Sequence, residues 1–199
     1  MLQHVCMIHP NTVIRFISDL VGVGVVATRL IPAGTITWVR DHLDRTFTAD
    51  EIAAMSPMHQ KQLDMYSFRD QSGTFILCWD HCKYMNHSFV PNCIATPLGL
   101  EIAVRDIEPG EELTNDYGFL NITESFTPVD EGAVRKTVYP DDLLHYAAEW
   151  DGQLQAAIPH LPNVDQPLRP IVPAEIWSEL QMTALGERPL RSIAELYCG

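Results

Sequence analysis

The chain has 199 residues, 46% of them hydrophobic, enough for one well-cored domain with a small appendage. Its 13 Lys and Arg against 26 Asp and Glu leave a net charge of −13. That balance excludes a protein built to grip a phosphate backbone, and the hydrophobic content excludes a disordered tail.

Residues 12–40 read as strands. TVIRFI (12–17), GVVAT (24–28) and GTITWVR (34–40) are rich in β-branched and aromatic residues and are separated by turn formers. The character changes at 48–65. Thr48 and Glu51 have capping-box spacing ahead of Ile52, Ala53 and Met55, and Ser56-Pro57 marks a second helix start. TFILCW (74–79) is a strand after a polar turn, and CIATPL (93–98) with LEIAV (100–104) forms a hairpin about Gly99. From Pro140 the period becomes helical. Leu143, Leu144, Ala147, Trp150, Leu154 and Ile158 make one apolar face. The five prolines of 159–173 predict an extended crossing, and 173–184 and 190–197 predict two more short helices. Mostly β before about residue 118 and mostly α after about 140 is an α+β order, with no internal repeat.

Cys6, Cys78, Cys82, Cys93 and Cys198 lack paired spacing, which predicts reduced thiols and a cytoplasmic location. The start, MLQHVCMIHP, has no basic n-region or long apolar core, so no secretory signal is expected. No apolar run approaches the roughly 20 residues that span a bilayer, so no membrane partner is expected.

Three places can carry chemistry. Gly22-Val23-Gly24 is either a bulge or a bare backbone that a cofactor approaches closely; it lacks the third glycine of a dinucleotide fingerprint. Asn86, His87, Ser88 and Asn92 crowd around Pro91, as a surface loop or as a preorganised polar site. Glu111, Glu112 and Asp116 precede Tyr117, a core-edge tyrosine or a phenol presented to a site. Cys78, His81, Cys82, His87 and Cys93 fall close together, but Cys78 lies in an apolar strand pattern and no second Cys pair exists, so no metal site is expected.

These features, in this order and spacing, resemble the SET-domain protein lysine methyltransferases. GVGV (22–25) with LIPAGTI (30–36) is similar to the family's first motif. NHSFVPN (86–92) is similar to NHSCxPN, and RDIEPGEELTNDYG (105–118) to RDIxxGEELTxDYG. The resemblance implies small curved sheets with a pseudoknot, a SET core over 1–120, and a mostly helical extension over 121–199 that packs on the core or closes the lysine channel. It implies S-adenosylmethionine as cofactor, held by Gly22, Val23, Gly24, Asn86, His87 and Tyr117. Tyr117 is the implied catalytic tyrosine, and Tyr66, Asn115 and Phe119 are implied channel residues.

The methyl passes in line to an amine lone pair, so the amine must first lose a proton from a group of pKa about 10.4. A narrow apolar channel favours the neutral amine, and alignment supplies much of the rate.

The departures are informative. Phe89 stands where the family's zinc-binding cysteine sits, and the tail FLNITESFTPVDEG after Gly118 has no cysteine. Both halves of that zinc site are absent together. Another closure is therefore expected, from 119–139 and the later helices, with Phe119, Phe126 and Tyr139 as aromatic walls; the alternative is that the helices only back the sheet. Val23 stands where tryptophan is frequent. Asn115 stands where a Phe or Tyr often limits methyl number. The compact form is similar to bacterial SET proteins. The expected partner is a basic, lysine-containing protein, drawn by the acids from Glu101 to Asp116; a non-catalytic module that binds cofactor or a lysine segment, or a small-amine methyltransferase, are the alternatives.

Overall fold

The computed structural model describes residues 7–199, so Cys6 lies outside the described residues. The chain opens with strands β1 (Thr12–Ser18), β2 (Gly22–Ala27), β3 (Ile36–Val39) and β4 (Arg45–Phe47). Helices α1 (Ala49–Ala53) and α2 (Pro57–Tyr66) follow. The Thr48 side chain accepts from the Glu51 N–H while Glu51 reaches back, so the expected capping box is formed. Ser56 caps α2 with Pro57 in its first turn. Next come β5 (Ser67–Arg69), β6 (Phe75–Leu77), β7 (Asn86–His87), β8 (Cys93–Thr96), β9 (Leu100–Ala103) and β10 (Glu112–Asn115). Helices α3 (Asp142–Ala157) and α4 (Ala174–Ala184) end the regular structure.

The strands make three small sheets, in the orders β1-β2-β10-β7, β3-β9-β8 and β4-β6-β5. The first matters most for function. β1 and β2 are an antiparallel hairpin, β10 pairs antiparallel with β2, and β7 lies parallel to β10. Three segments distant in sequence therefore meet in one sheet: the glycine strand, the Asn-His strand and the strand leading to Tyr117. Asn92 stitches them further. Its Nδ2 donates to the Glu112 carbonyl at 2.7 Å and its Oδ1 accepts from the Thr114 N–H at 2.8 Å. A buried Asn satisfied on both sides this way fixes register.

The second sheet carries the larger core. Ile36, Ile94, Leu100 and Ile102 pack against Leu143, Trp150, Leu154 and Ile158 from the helices. Each buried aliphatic of this kind contributes about 1.5–3 kcal/mol. Of the expected helical face, Leu144 does not belong: it is 59% exposed. It follows Leu143 directly, and a 100° step turns it to solvent.

Residues 159–173 are not an extended crossing. They coil in short 3-10 turns, Ile158–Asn163 and Arg169–Ile171, which tolerate proline because few backbone N–H groups are used. Gln166 between them accepts from the Ile36 N–H and donates to the Gly34 carbonyl, tying this coil to the entry of β3. Residues 190–197 form only one 3-10 turn, Ile193–Leu196. Among the described residues no helix is long and apolar enough to cross a membrane.

Candidate active site

The first sheet sets the site's geometry. Asn86 Nδ2 reaches across to β2, donating to the Val23 carbonyl at 3.0 Å and to the Glu112 carboxylate. That crossing explains Gly24. A Cβ there would lie 2.8 Å from Asn86 Nδ2 and would strike the Glu112 carboxylate. Gly22 has φ +85° and open space where a side chain would be, and Val23 is 39% exposed. Gly22 thus leaves its backbone bare.

His87 faces inward. Its Nδ1 accepts the Tyr117 N–H at 3.1 Å, which puts the neutral ring's proton on Nε2. Nε2 is buried and has no protein partner. Burial, with Arg135 adding to it, lowers the His87 pKa to about 4, so the ring is neutral at pH 7. It packs edge-on against Phe89, Tyr117 and Phe126.

Tyr117 is held at both ends. Its N–H is on His87, and its hydroxyl donates to the Met85 carbonyl at 2.8 Å. Burial raises its pKa above the ordinary phenol value, so it stays protonated and its oxygen keeps lone pairs free to accept. Tyr117 borders two cavities. One, of about 110 Å³, is shared with Tyr66, Phe68, Glu101 and Asn115. The other, of about 320 Å³, runs between β5 and residues 120–126.

The sequence-derived site residues do not all converge. Gly22, Val23, Gly24, Asn86, His87 and Tyr117 come together through β2, β7 and the end of β10. Tyr66 and Asn115 share the smaller cavity with Tyr117. Phe119 turns the other way, packing edge-on against Trp150 at 5.3 Å in the helical core. Phe126 sits 5.8 Å from the Tyr117 ring, whereas Tyr139 is 49% exposed and borders neither cavity. Two of the acids expected on the surface are interior: Glu101 and Asp116 are both buried.

Several residues at the site escape sequence reasoning. Glu131 accepts from the Ser88 hydroxyl at 2.8 Å and from the Phe89 N–H. Arg135 forks between the Asp116 and Asp142 carboxylates, and its guanidinium lies over the Phe89 and Tyr146 rings at 4.7 and 4.1 Å. Burial pushes Asp116 up to about 6, with Arg135 opposing it. So residues 131–135 close over the segment where Phe89 stands, while α3 backs the second sheet. Among the described residues no group of three or more His, Cys, Asp or Glu is placed to hold a metal ion.

Residues 22–118 match the family model described as the SET domain. The chain carries a SET domain. The matched span runs from Gly22 to Gly118 and contains all three motifs gathered in the first sheet. No curated protein matches the chain. SET domains are typically S-adenosylmethionine-dependent protein lysine methyltransferases.

Proposed function

We propose that this SET domain is an S-adenosylmethionine-dependent protein lysine N-methyltransferase. The observation that carries the reading is Tyr117: a protonated phenol on the boundary of two cavities, fixed by Met85 and by His87, whose neighbour Asn86 bonds the Val23 carbonyl.

The residues fit the cofactor. Bare backbone at Gly22 allows close approach, and the unpartnered buried His87 Nε2–H is a donor awaiting an acceptor. Val23, Asn86 and His87 would hold it, and when bound it supplies an electrophilic methyl on a sulfonium. Tyr117 orients the incoming amine, and its oxygen accepts weak CH···O contacts from the methyl. The larger cavity, along the edge strand β5, suits an extended substrate segment. The smaller one, lined by Tyr66, Phe68 and Asn115, suits a single lysine side chain.

The test is labelled-methyl transfer to a basic protein pool, alongside thermal-shift titration with S-adenosylmethionine. Cofactor-dependent stabilisation with labelled protein product is expected. Saturable cofactor binding with no transfer to any protein or metabolite fraction would leave a binding module instead.

Gly24→Ala probes the cofactor side alone. The added methyl displaces Asn86 and Glu112 from β2. Cofactor affinity is expected to fall at least about tenfold, equivalent to about 1.4 kcal/mol, in a protein that still folds. Unchanged affinity in the same titration would remove Asn86 from the site.

A further inference from the structure

We propose that Glu101 is the proton acceptor for the substrate ammonium, and that it forms with Asn115 the acceptor pair that seats that ammonium beside Tyr117. The inference rests on the methyltransferase reading and deepens it.

Glu101 occupies an improbable place for an acid. It lies in β9, the central strand of its sheet, and is 4% exposed. No Lys or Arg pairs with it among the described residues. Its single side-chain bond is from Asn115 Nδ2 to Oε1 at 2.9 Å. Oε2 is buried and has no partner. Asn115, its amide spent on Glu101, has Oδ1 buried and equally without a partner. Both residues line the cavity that reaches Tyr117. Trp38, the cross-strand neighbour of Glu101, lines it too. Native interiors rarely leave two acceptors orphaned side by side, and such groups call for a ligand.

The missing ligand is a multiple N–H donor. The Tyr117 hydroxyl gives its proton to Met85, so its oxygen is a third acceptor. A primary ammonium has three N–H groups to offer. Glu101 Oε2, Asn115 Oδ1 and Tyr117 Oη are three acceptors on residues lining one cavity. The only lysine lining it, Lys83, has its Nζ on the Cys78 and Trp79 carbonyls. Asp64, which is exposed, lines the same cavity and adds an acid to it.

The chemistry balances. A proton passes from the ammonium nitrogen to Glu101 Oε2: one N–H bond breaks and one O–H bond forms, leaving a neutral amine and a neutral acid. The amine lone pair then forms the N–C bond to the donated methyl as the C–S bond breaks, its electron pair staying on sulfur. The product is a methylammonium, and Glu101 returns its proton to water as product leaves. Tyr117 is not the base, because burial holds it protonated. Burial pushes Glu101 up to about 7, with the Asn115 bond opposing and Asp80 adding. Asp64, Tyr66, Cys78, Cys82, Lys83 and Tyr117 are the other titratable groups lining its cavity. An acceptor near neutrality suits the task.

Glu101→Gln is isosteric and keeps the bond from Asn115. The first probe is n-butylammonium, a lysine side chain without a peptide. It is expected to raise the melting temperature of the wild type at pH 8 and to lose that effect at pH 5.5, where Glu101 is protonated. It is expected to do nothing to Glu101→Gln at either pH, while S-adenosylmethionine stabilises both proteins. With a methyl-accepting protein, Glu101→Gln is expected to lower kcat by about 100-fold or more at pH 7.5. The gap narrows towards pH 10, where lysine deprotonates in solution. Glu101→Asp keeps the acid but shortens its reach; it serves if the Gln variant does not fold, and is expected to fall between. Equal n-butylammonium stabilisation of wild type and variants, or parallel pH–rate profiles, overturns the proposal. Wild-type stabilisation by n-butylammonium without methyl transfer overturns the methyltransferase reading alone and leaves the ammonium seat standing.

Discussion

Arg135→Met lowers the melting temperature by about 6–20 °C at pH 7.5. The guanidinium joins Asp116, at the end of the SET domain, to Asp142, at the start of α3, and both carboxylates are buried. Removing one partner of such an arrangement strands charge inside the protein and costs about 3–5 kcal/mol. For a chain of this size each kcal/mol moves the midpoint by about 2–4 °C. The pH dependence has a defined sign. Burial already holds Asp116 at about 6, above its ordinary value, so in the wild type its contribution to stability is full at low pH and is lost as pH rises through 6. Arg135 opposes that rise; without it the carboxyl binds its proton more tightly still. The deficit of the variant therefore shrinks on acidification towards pH 4 and widens above 6. Arg135→Lys restores charge but not the fork or the stacking on Phe89 and Tyr146, so it recovers only some of the loss. Thermal melts of the three proteins from pH 4 to 8 check this; a flat difference across that range would separate Arg135 from Asp116.

Tyr117→Phe gives the largest catalytic effect. Losing the oriented hydroxyl is expected to lower kcat by about 100- to 1,000-fold, the scale seen when one preorganised hydrogen-bonding group is removed from a reacting centre. The fold is retained, because the ring stays among His87 and Phe126 and the Tyr117 N–H still reaches His87 Nδ1. The orphaned Met85 carbonyl costs about 1–3 kcal/mol, a few degrees of melting temperature. Cofactor affinity is expected to change less than threefold. Rate loss matched by an equal loss of cofactor binding would make the hydroxyl a binding group rather than an orienting one. Wild-type turnover would remove Tyr117 from the reaction.

The frame of the site was legible because its signals are local. Strands at 12–17, 24–28 and 93–104, the box at Thr48 and Glu51, and the ordered motifs each announce themselves within a few residues. Their convergence in one sheet was legible only through family resemblance, since the β10 pairing with β7 joins distant residues in parallel. What stayed hidden was long-range and polar. Nothing near Arg135 in sequence says that it meets Asp116, and Glu131 reaches Ser88 across 43 positions. Glu101 looked like a surface acid because β9 is buried on both faces, so no alternation separates its inward side from an outward one. Phe119 was misleading for the opposite reason. An aromatic two residues after the key tyrosine suits a channel wall and a core equally well, and Trp150, far along the chain, decides for the core.

The sheet β3-β9-β8 also bears on the order of events during synthesis. Its apolar face, with Ile36, Ile94, Leu100 and Ile102, is covered by side chains of α3 and the turns beyond it. On the ribosome the whole SET domain is made first, and that face waits uncovered until Trp150, Leu154 and Ile158 have emerged. Until Arg135 arrives, Asp116 also lacks its counter-charge. A chain stalled at residue 120 would therefore expose that apolar face and leave Asp116 unpaired, a natural client for chaperones, and its site would be complete only once Arg135 and α3 had emerged.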